Sequence, residues 1–239
     1  MIVLPIAAAL IALTFSIHLF VRSGRRGTWY EAVWGVAMLM FAVATGALVL
    51  GVLDQWSSAE FRAYWLFGAV LTAPYLAIGE LYLLVRRRWI AHLLLVLLLA
   101  ATAWAAATVR TAPMSEALAE PFPLGREVFG DGTPAHRLSQ YFAFPGYFIL
   151  VGGAVWSALQ MRGRPELRDR FMGVLLIALG ATIVFVGSGV GAGFGLYAVF
   201  SVGHTVGIAV MYWGFLMASR RRRAPEALPA RGTSAGGEA

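Results

Sequence analysis

Four ionisable side chains lie inside long apolar runs of the sequence, where charged groups are costly and usually indicate function. They are His18, Glu31, Glu80 and His92. Each lies four to six residues from the nearest arginine cluster. On a helix with a rise of about 1.5 Å per residue, that spacing corresponds to roughly 6–9 Å. We therefore expect the four residues to form one ionisable layer near one end of a helical bundle.

This layer supports three interpretations, which the sequence leaves open. Two histidines and two carboxylates can pass protons or ions, or ligate a transition metal. His18 and His92 also lie at matching depths, so they are a candidate pair for haem. Alternatively, His18, Glu31 and His92 simply reach water or lipid headgroups. Glu80 is the deepest of the four, with Arg86 or His18 as its candidate partner.

A second group of polar residues lies towards the opposite ends of the apolar runs and is predicted to line a pocket in the outer half of the protein. Pro74 and Pro145 fall in the same region and are expected to bend their helices. The alternative is that His204 makes a single hydrogen bond between helices and lines no pocket. The pocket candidates are Thr72, Tyr75, Gln140, Tyr141, Tyr147, Ser188, His204 and Thr205.

The elements that must position these residues are membrane helices. The chain is 59% hydrophobic and 13% charged, whereas soluble domains carry about 25% charged residues. A helix needs about 20 apolar residues to cross the hydrocarbon core. The sequence thus predicts an all-α membrane protein, a bundle of seven transmembrane helices, at approximately 2–21, 29–53, 63–85, 89–109, 138–160, 171–190 and 196–219.

Arginine clusters border every second end of these spans, which is the pattern of cytoplasmic loops. The basic segments are 22–28, 86–88, 161–170 and 220–239. We therefore expect the N-terminus outside and the C-terminus in the cytoplasm of a bacterium, with the protein in its inner membrane. No basic residue precedes the first apolar run, so we interpret that run as a retained helix rather than a cleaved signal peptide.

Two segments are predicted to lie outside the membrane. The long outer loop, 110–137, contains four prolines and is either a lid over an outward cavity or a plain connector. Within it, 114–120 is predicted to form a short helical turn. The seven-span domain is expected to end at residue 223, and the tail, 224–239, has the composition of a disordered segment.

Glycine spacing and span layout give two further predictions. Gly173, Gly180 and Gly187 recur every seven residues, so they are expected to let a neighbouring helix approach closely. Spans 1–3 and 5–7 share the same order of loops and arginine clusters. That order is compatible with a 3+1+3 pseudo-repeat, a plan that some transporters use.

Several classes of function are excluded or not favoured. The chain has no cysteine and no lysine, which excludes disulfides, thiolate metal sites and a retinal Schiff base. Its net charge of +7 comes from arginines that border apolar spans, so lipid headgroups and not nucleic acid are the expected partners. No catalytic motif typical of soluble enzymes is present, and an enzymatic function is not favoured.

The leading hypothesis is that the protein binds or transports a small molecule or ion through the helix bundle. The first alternative is a membrane scaffold or sensory module that acts through a protein partner or as a homo-oligomer. The second is a haem- or metal-binding redox protein that uses His18 and His92. The ligand and any metal or other cofactor are unknown at this stage.

Overall fold

The computed structural model describes residues 2–219, and over this range the protein folds as seven long helices. Each is long and apolar enough to cross a membrane. The shortest has 23 residues, which gives roughly 35 Å at 1.5 Å per residue, against about 30 Å for the hydrocarbon core. The helices are α1 (Val3–Arg26), α2 (Trp29–Asp54), α3 (Ser58–Leu84), α4 (Arg88–Thr111), α5 (Pro134–Met161), α6 (Arg168–Gly193) and α7 (Tyr197–Ser219).

The prediction of an all-helical protein with seven apolar spans is confirmed for the described residues. The architecture is that of a multi-pass membrane protein. The last arginine cluster, 220–223, and the predicted tail, 224–239, lie outside the described residues.

Two helices begin earlier than hydropathy predicts, because their first turns are polar. At the start of α3, the Ser57 hydroxyl accepts a hydrogen bond from the Glu60 amide, and the Glu60 carboxylate accepts one from the Ser57 amide. At the start of α5, Thr133 accepts from the amide of His136, and Pro134 occupies the first turn. Such caps satisfy amide groups that would otherwise lack partners.

The third helix changes its winding halfway along. It is an α-helix over Ser58–Ala63, a π-helix over Tyr64–Leu71 and an α-helix again over Thr72–Leu84. The Thr72 hydroxyl donates to the Phe67 carbonyl at 2.7 Å, and so binds a carbonyl in the widened turn. Short π segments inside α-helices often occur at functional sites.

Six of the seven helices form a closed ring in the order α1, α2, α3, α5, α6, α7 and back to α1. The fourth helix packs outside this ring, against α3 and α5. Only 11% of its most apolar stretch is buried within the protein, the lowest share among the seven helices. The ring therefore positions the interior residues, and α4 chiefly faces lipid.

The closest contact in the ring joins α6 to α7, and it is built from paired glycines. The predicted stripe of Gly173, Gly180 and Gly187 lies along this contact. A methyl group added at Gly180 would stand 2.5 Å from the Gly207 carbonyl oxygen, and one at Gly187 would stand 2.9 Å from the Cα of Gly203. The partner glycines of α7 were not identified from the sequence.

A methyl group at this contact is expected to destabilise the protein. Gly180→Ala should lower the free energy of unfolding by about 1–3 kcal/mol, the usual range for overpacking, because the Gly207 backbone lies where the methyl group would go. Denaturation of the purified protein by a titrated ionic detergent, followed by circular dichroism, measures this. The control is Gly152→Ala in α5, where an added methyl group meets open space. Equal loss of stability in both variants would show that the glycine pairs are not needed for close packing.

Candidate functional site

A cavity of about 590 Å³ lies inside the ring, between α2, α3, α5, α6 and α7. It opens towards the loop end of the bundle, by which we mean the end where residues 112–133 join α4 to α5. The opposite end, where residues 22–26, 86–88 and 162–170 lie, is called the arginine end. Five of the eight predicted pocket residues line the cavity, namely Thr72, Gln140, Tyr147, Ser188 and His204.

The other three predicted pocket residues have different roles in the structure. The Tyr75 hydroxyl lies 3.2 Å from that of Thr102 and links α3 to α4. Tyr141 is 64% exposed on the outer face of α5. Thr205 donates to the Leu4 carbonyl at 2.8 Å and so joins α7 to α1. These assignments depend on how each helix is rotated, which residue spacing alone did not reveal.

Two aromatic stacks form parts of the cavity wall. Tyr147 of α5 and Phe185 of α6 are stacked with ring centroids 4.0 Å apart and planes 10° apart. On α7, the imidazole of His204 stacks on Phe200 at 3.9 Å, and Phe41 of α2 covers it at 5.4 Å. These aromatic walls suit an aromatic ligand, because offset stacking of aromatic rings is favourable.

His204 makes a hydrogen bond within its own helix and not to a neighbouring helix. Its Nδ1 lies 2.9 Å from the carbonyl oxygen of Phe200, one turn earlier in the same helix. A carbonyl oxygen can only accept, so Nδ1 carries a proton. In the neutral imidazole Nε2 is then an acceptor, and no described residue forms a hydrogen bond with it.

The segment between α4 and α5 covers the mouth of the cavity. Leu124, Gly125 and Arg126 form part of the lining, and an Arg126 guanidinium nitrogen donates to the Gly193 carbonyl at the end of α6 at 3.1 Å. Trp65 of α3 packs directly against Gly125 and donates to the Ala135 carbonyl at 2.9 Å. The segment therefore has the position that the lid interpretation requires. Its predicted short turn is present at Glu116–Ala119.

The structure anchors this covering segment by aromatic packing and by one arginine. Phe129 is buried against Phe61 and Trp65. The guanidinium of Arg62 donates to backbone carbonyls at the end of α4, including that of Ala112 at 3.0 Å. These contacts hold the segment over the ring at several points.

Two ionisable residues besides Arg126 line the cavity near its mouth. His136 Nδ1 lies 3.3 Å from a carboxylate oxygen of Asp131, whose side chain is 89% exposed. Both residues line the cavity. Sequence analysis did not select Arg126, Asp131 or His136, because they lie in or beside the loop and belong to no recognisable motif.

The four residues of the predicted ionisable layer do not converge on one point. Glu31 is fully buried and pairs with Arg22, whose Nε lies 2.9 Å from Oε1. The hydroxyls of Thr28 and Tyr30 also donate to this carboxylate. Glu31 therefore does not reach water or headgroups. Instead it joins α1 to α2 through a buried ion pair.

The two histidines of the layer lie against different aromatic neighbours. His18 Nδ1 is 3.2 Å from the Tyr212 hydroxyl of α7, and its ring packs edge-on against Phe215. His92 Nδ1 is 2.7 Å from the hydroxyl of Tyr82 in α3. Within residues 2–219 there is no group of three or more histidine, aspartate or glutamate side chains that could hold a metal ion.

Glu80 is only 3% exposed, and it lies one helical turn beyond Leu76, which lines the cavity. Its carboxylate packs against α5, where a methyl group added at Gly153 would stand 3.2 Å from Oε1. The expected partners, Arg86 and His18, do not bind it. Among the described residues this carboxylate makes no hydrogen bond or ion pair. It is thus a buried ionisable group between the cavity and the arginine end.

The Arg22–Glu31 pair generates a test of stability. Glu31→Leu should lower the free energy of unfolding by about 3–5 kcal/mol, the usual loss when one partner of a buried pair is removed, because Arg22 keeps its charge without a counter-charge. Adding Arg22→Leu to that variant should recover part of the loss. Arg26→Leu, at an exposed arginine of the same cluster, is the control. Detergent denaturation of the wild type, both single variants (Glu31→Leu and Arg22→Leu) and the double variant measures the coupling, and strictly additive losses would contradict it.

Comparison with known proteins gives no family assignment. No protein-family model matches the sequence, and no curated protein and no solved structure shows a match to it. The function must therefore be inferred from the site itself.

Proposed function

We propose that this is a membrane protein that binds or transports a small molecule in the central cavity of its helix bundle. The observation that carries the proposal is the cavity, which is lined by five helices and by the segment that joins α4 to α5. Binding sites for small molecules are typically concave, of about 300–1,000 Å³, and mostly apolar with a few polar groups. This cavity, with its aromatic walls, fits that description.

A transport role is supported by the position of Glu80. It lies on α3, beyond the inner limit of the cavity, and it is buried without a partner among the described residues. Ionisable groups inside membrane helices often mark the routes of ions and protons. We propose that Glu80 takes up and releases a proton as the ligand moves between the cavity and the arginine end.

The order of the helices supports the 3+1+3 plan. In the ring, α1, α2 and α3 follow one another, as do α5, α6 and α7, and the two triads meet at α3–α5 and at α7–α1. A two-fold rotation that exchanges the triads preserves this order, and α4 remains outside as the link. In transporters with repeats, the substrate binds at the interface between the repeats. The cavity likewise contacts both triads.

The arrangement of charges supports an orientation with the arginine end in the cytoplasm and the loop end outside. The loop end carries Glu60, Glu116, Glu120, Glu127 and Asp131, whereas most arginines of the described residues lie at the other end. On the positive-inside rule we propose that the N-terminus lies outside and that the membrane is the inner membrane of a bacterium.

Cysteine labelling tests this orientation directly, because the chain contains no cysteine. In intact expressing cells, a membrane-impermeant maleimide should label Ala119→Cys, an exposed position in the covering segment. It should label Gly24→Cys, an exposed position at the arginine end, only after the cells are permeabilised. The reverse pattern would refute the proposed orientation.

Filling the cavity tests the proposed function. Native mass spectrometry of the protein, extracted with its surrounding lipid, should show a bound mass on the wild-type chain. Ala143→Trp should lose it, because Ala143 lines the cavity and an indole there occupies the ligand's space. Ala103→Trp, on the exposed face of α4, is the matched control and should keep the mass. The oligomeric state is read from the same spectra.

Three results would contradict the proposal. A mass that survives Ala143→Trp would lie outside the cavity. A chain that carries no ligand but remains attached to another protein would favour the scaffold hypothesis. A mass equal to haem that is lost from His18→Ala would favour the redox hypothesis instead.

A further inference from the structure

We propose that the ligand of the cavity is an aromatic compound that donates a hydrogen bond. This inference rests on the proposed function, and it concerns the chemistry that the cavity selects. It follows from the aromatic residues of the walls and from the direction of the hydrogen bonds that the lining residues already make.

The walls favour an aromatic ligand. The stack of Tyr147 on Phe185 and the stack of His204 on Phe200 belong to different helices of the ring. Phe41, Tyr147, Phe185, Phe200 and His204 all line the cavity, so aromatic rings form much of its wall. An aromatic ligand gains energy against such rings beyond simple burial.

The hydroxyl groups of the lining offer acceptors, because each has already donated its proton to the backbone. Thr45 donates to the Phe41 carbonyl, Thr72 to Phe67 and Ser188 to Val184, at 2.7–2.8 Å. A hydroxyl has one proton and two lone pairs. What remains for a ligand at these three residues is therefore oxygen lone pairs.

The Tyr147 hydroxyl is also left as an acceptor, because its proton is already donated to Thr182. Thr182 donates its only hydroxyl proton to the Ala178 carbonyl at 2.8 Å. The bond of 3.2 Å between Tyr147 and Thr182 must then have Tyr147 as its donor. The tyrosine oxygen accordingly faces any ligand as an acceptor.

His204 adds an acceptor nitrogen. Because its Nδ1–H is bound to the Phe200 carbonyl, the free Nε2 of the neutral ring can only accept. Gln140 also lines the cavity and offers both a donor and an acceptor, and Tyr64, Arg126 and His136 add donors to the lining. The acceptors named above are therefore part of the polar lining and not all of it. A ligand without a donor would leave these acceptors unpaired, and sites built in this way discriminate strongly against such analogues.

A pair of isosteric probes tests the proposal. Indole and benzofuran have nearly the same size and shape, but the ring N–H of indole is replaced by an oxygen acceptor in benzofuran. Binding is measured by equilibrium dialysis against the full chain in lipid nanodiscs, with empty nanodiscs to subtract partition into lipid. Indole should bind at least about fivefold more tightly, the ratio expected for one net hydrogen bond.

Substitutions in the cavity lining test which residues cause the preference for indole over benzofuran. His204→Phe keeps an aromatic ring at the stack on Phe200 but removes the acceptor nitrogen, and it should reduce the preference for indole to about twofold or less. Tyr147→Phe should reduce the preference in the same direction. Tyr141→Phe is the matched control, since Tyr141 lies on the outer face of α5, and it should leave the preference unchanged.

The outcomes separate this inference from the proposed function. Equal binding of indole and benzofuran to the wild-type chain, or binding of neither, overturns the inference about ligand class. The function proposal then still stands if Ala143→Trp removes the mass that is bound to the purified protein. Indole binding that survives Ala143→Trp overturns the inference about ligand class, because indole would then lie outside the cavity, and a bound mass that also survives Ala143→Trp overturns the function proposal.

Discussion

The membrane interior supplies no water to bind polar groups, and this constraint governs the rest of the structure. Every backbone amide and carbonyl there must find a partner within the protein, which is why the spans are helices. The same constraint directs the side-chain hydroxyls of Thr45, Thr72 and Ser188 to carbonyls of their own helices. It also explains why Glu31 is held by Arg22 and two hydroxyls at once.

The chemistry of the cavity follows from these hydrogen bonds between side-chain hydroxyls and carbonyls of the same helix. A hydroxyl whose proton is bound to the backbone can only accept from a ligand, so the serine and threonine hydroxyls of the lining become acceptors. Because each donates to a carbonyl of its own helix, the cavity acquires a preference that the residue types alone do not show.

Glycines set how closely several helices of the ring approach. Paired glycines bring α6 and α7 into backbone contact, and Gly146 of α5 lies against the backbone of α3 at Ala73 and Pro74. The π-helical turn of α3 and the ring of Trp65 contribute to the cavity lining. Trp65 also contacts Gly125 of the covering segment directly.

The sequence by itself determined that the chain forms seven apolar helices, because length and hydropathy add up along the chain and need no knowledge of neighbours. It also selected the glycine stripe of α6 and five of the cavity residues. It could not assign Tyr75, Tyr141 and Thr205 correctly, nor see that Glu31 is buried with Arg22. In a membrane, lipid-facing and interior faces are both apolar, so hydrophobic periodicity does not reveal the rotation of a helix. Only tertiary packing decided which side chains face the cavity, which lie outside the ring with α4, and which acceptors remain free for a ligand.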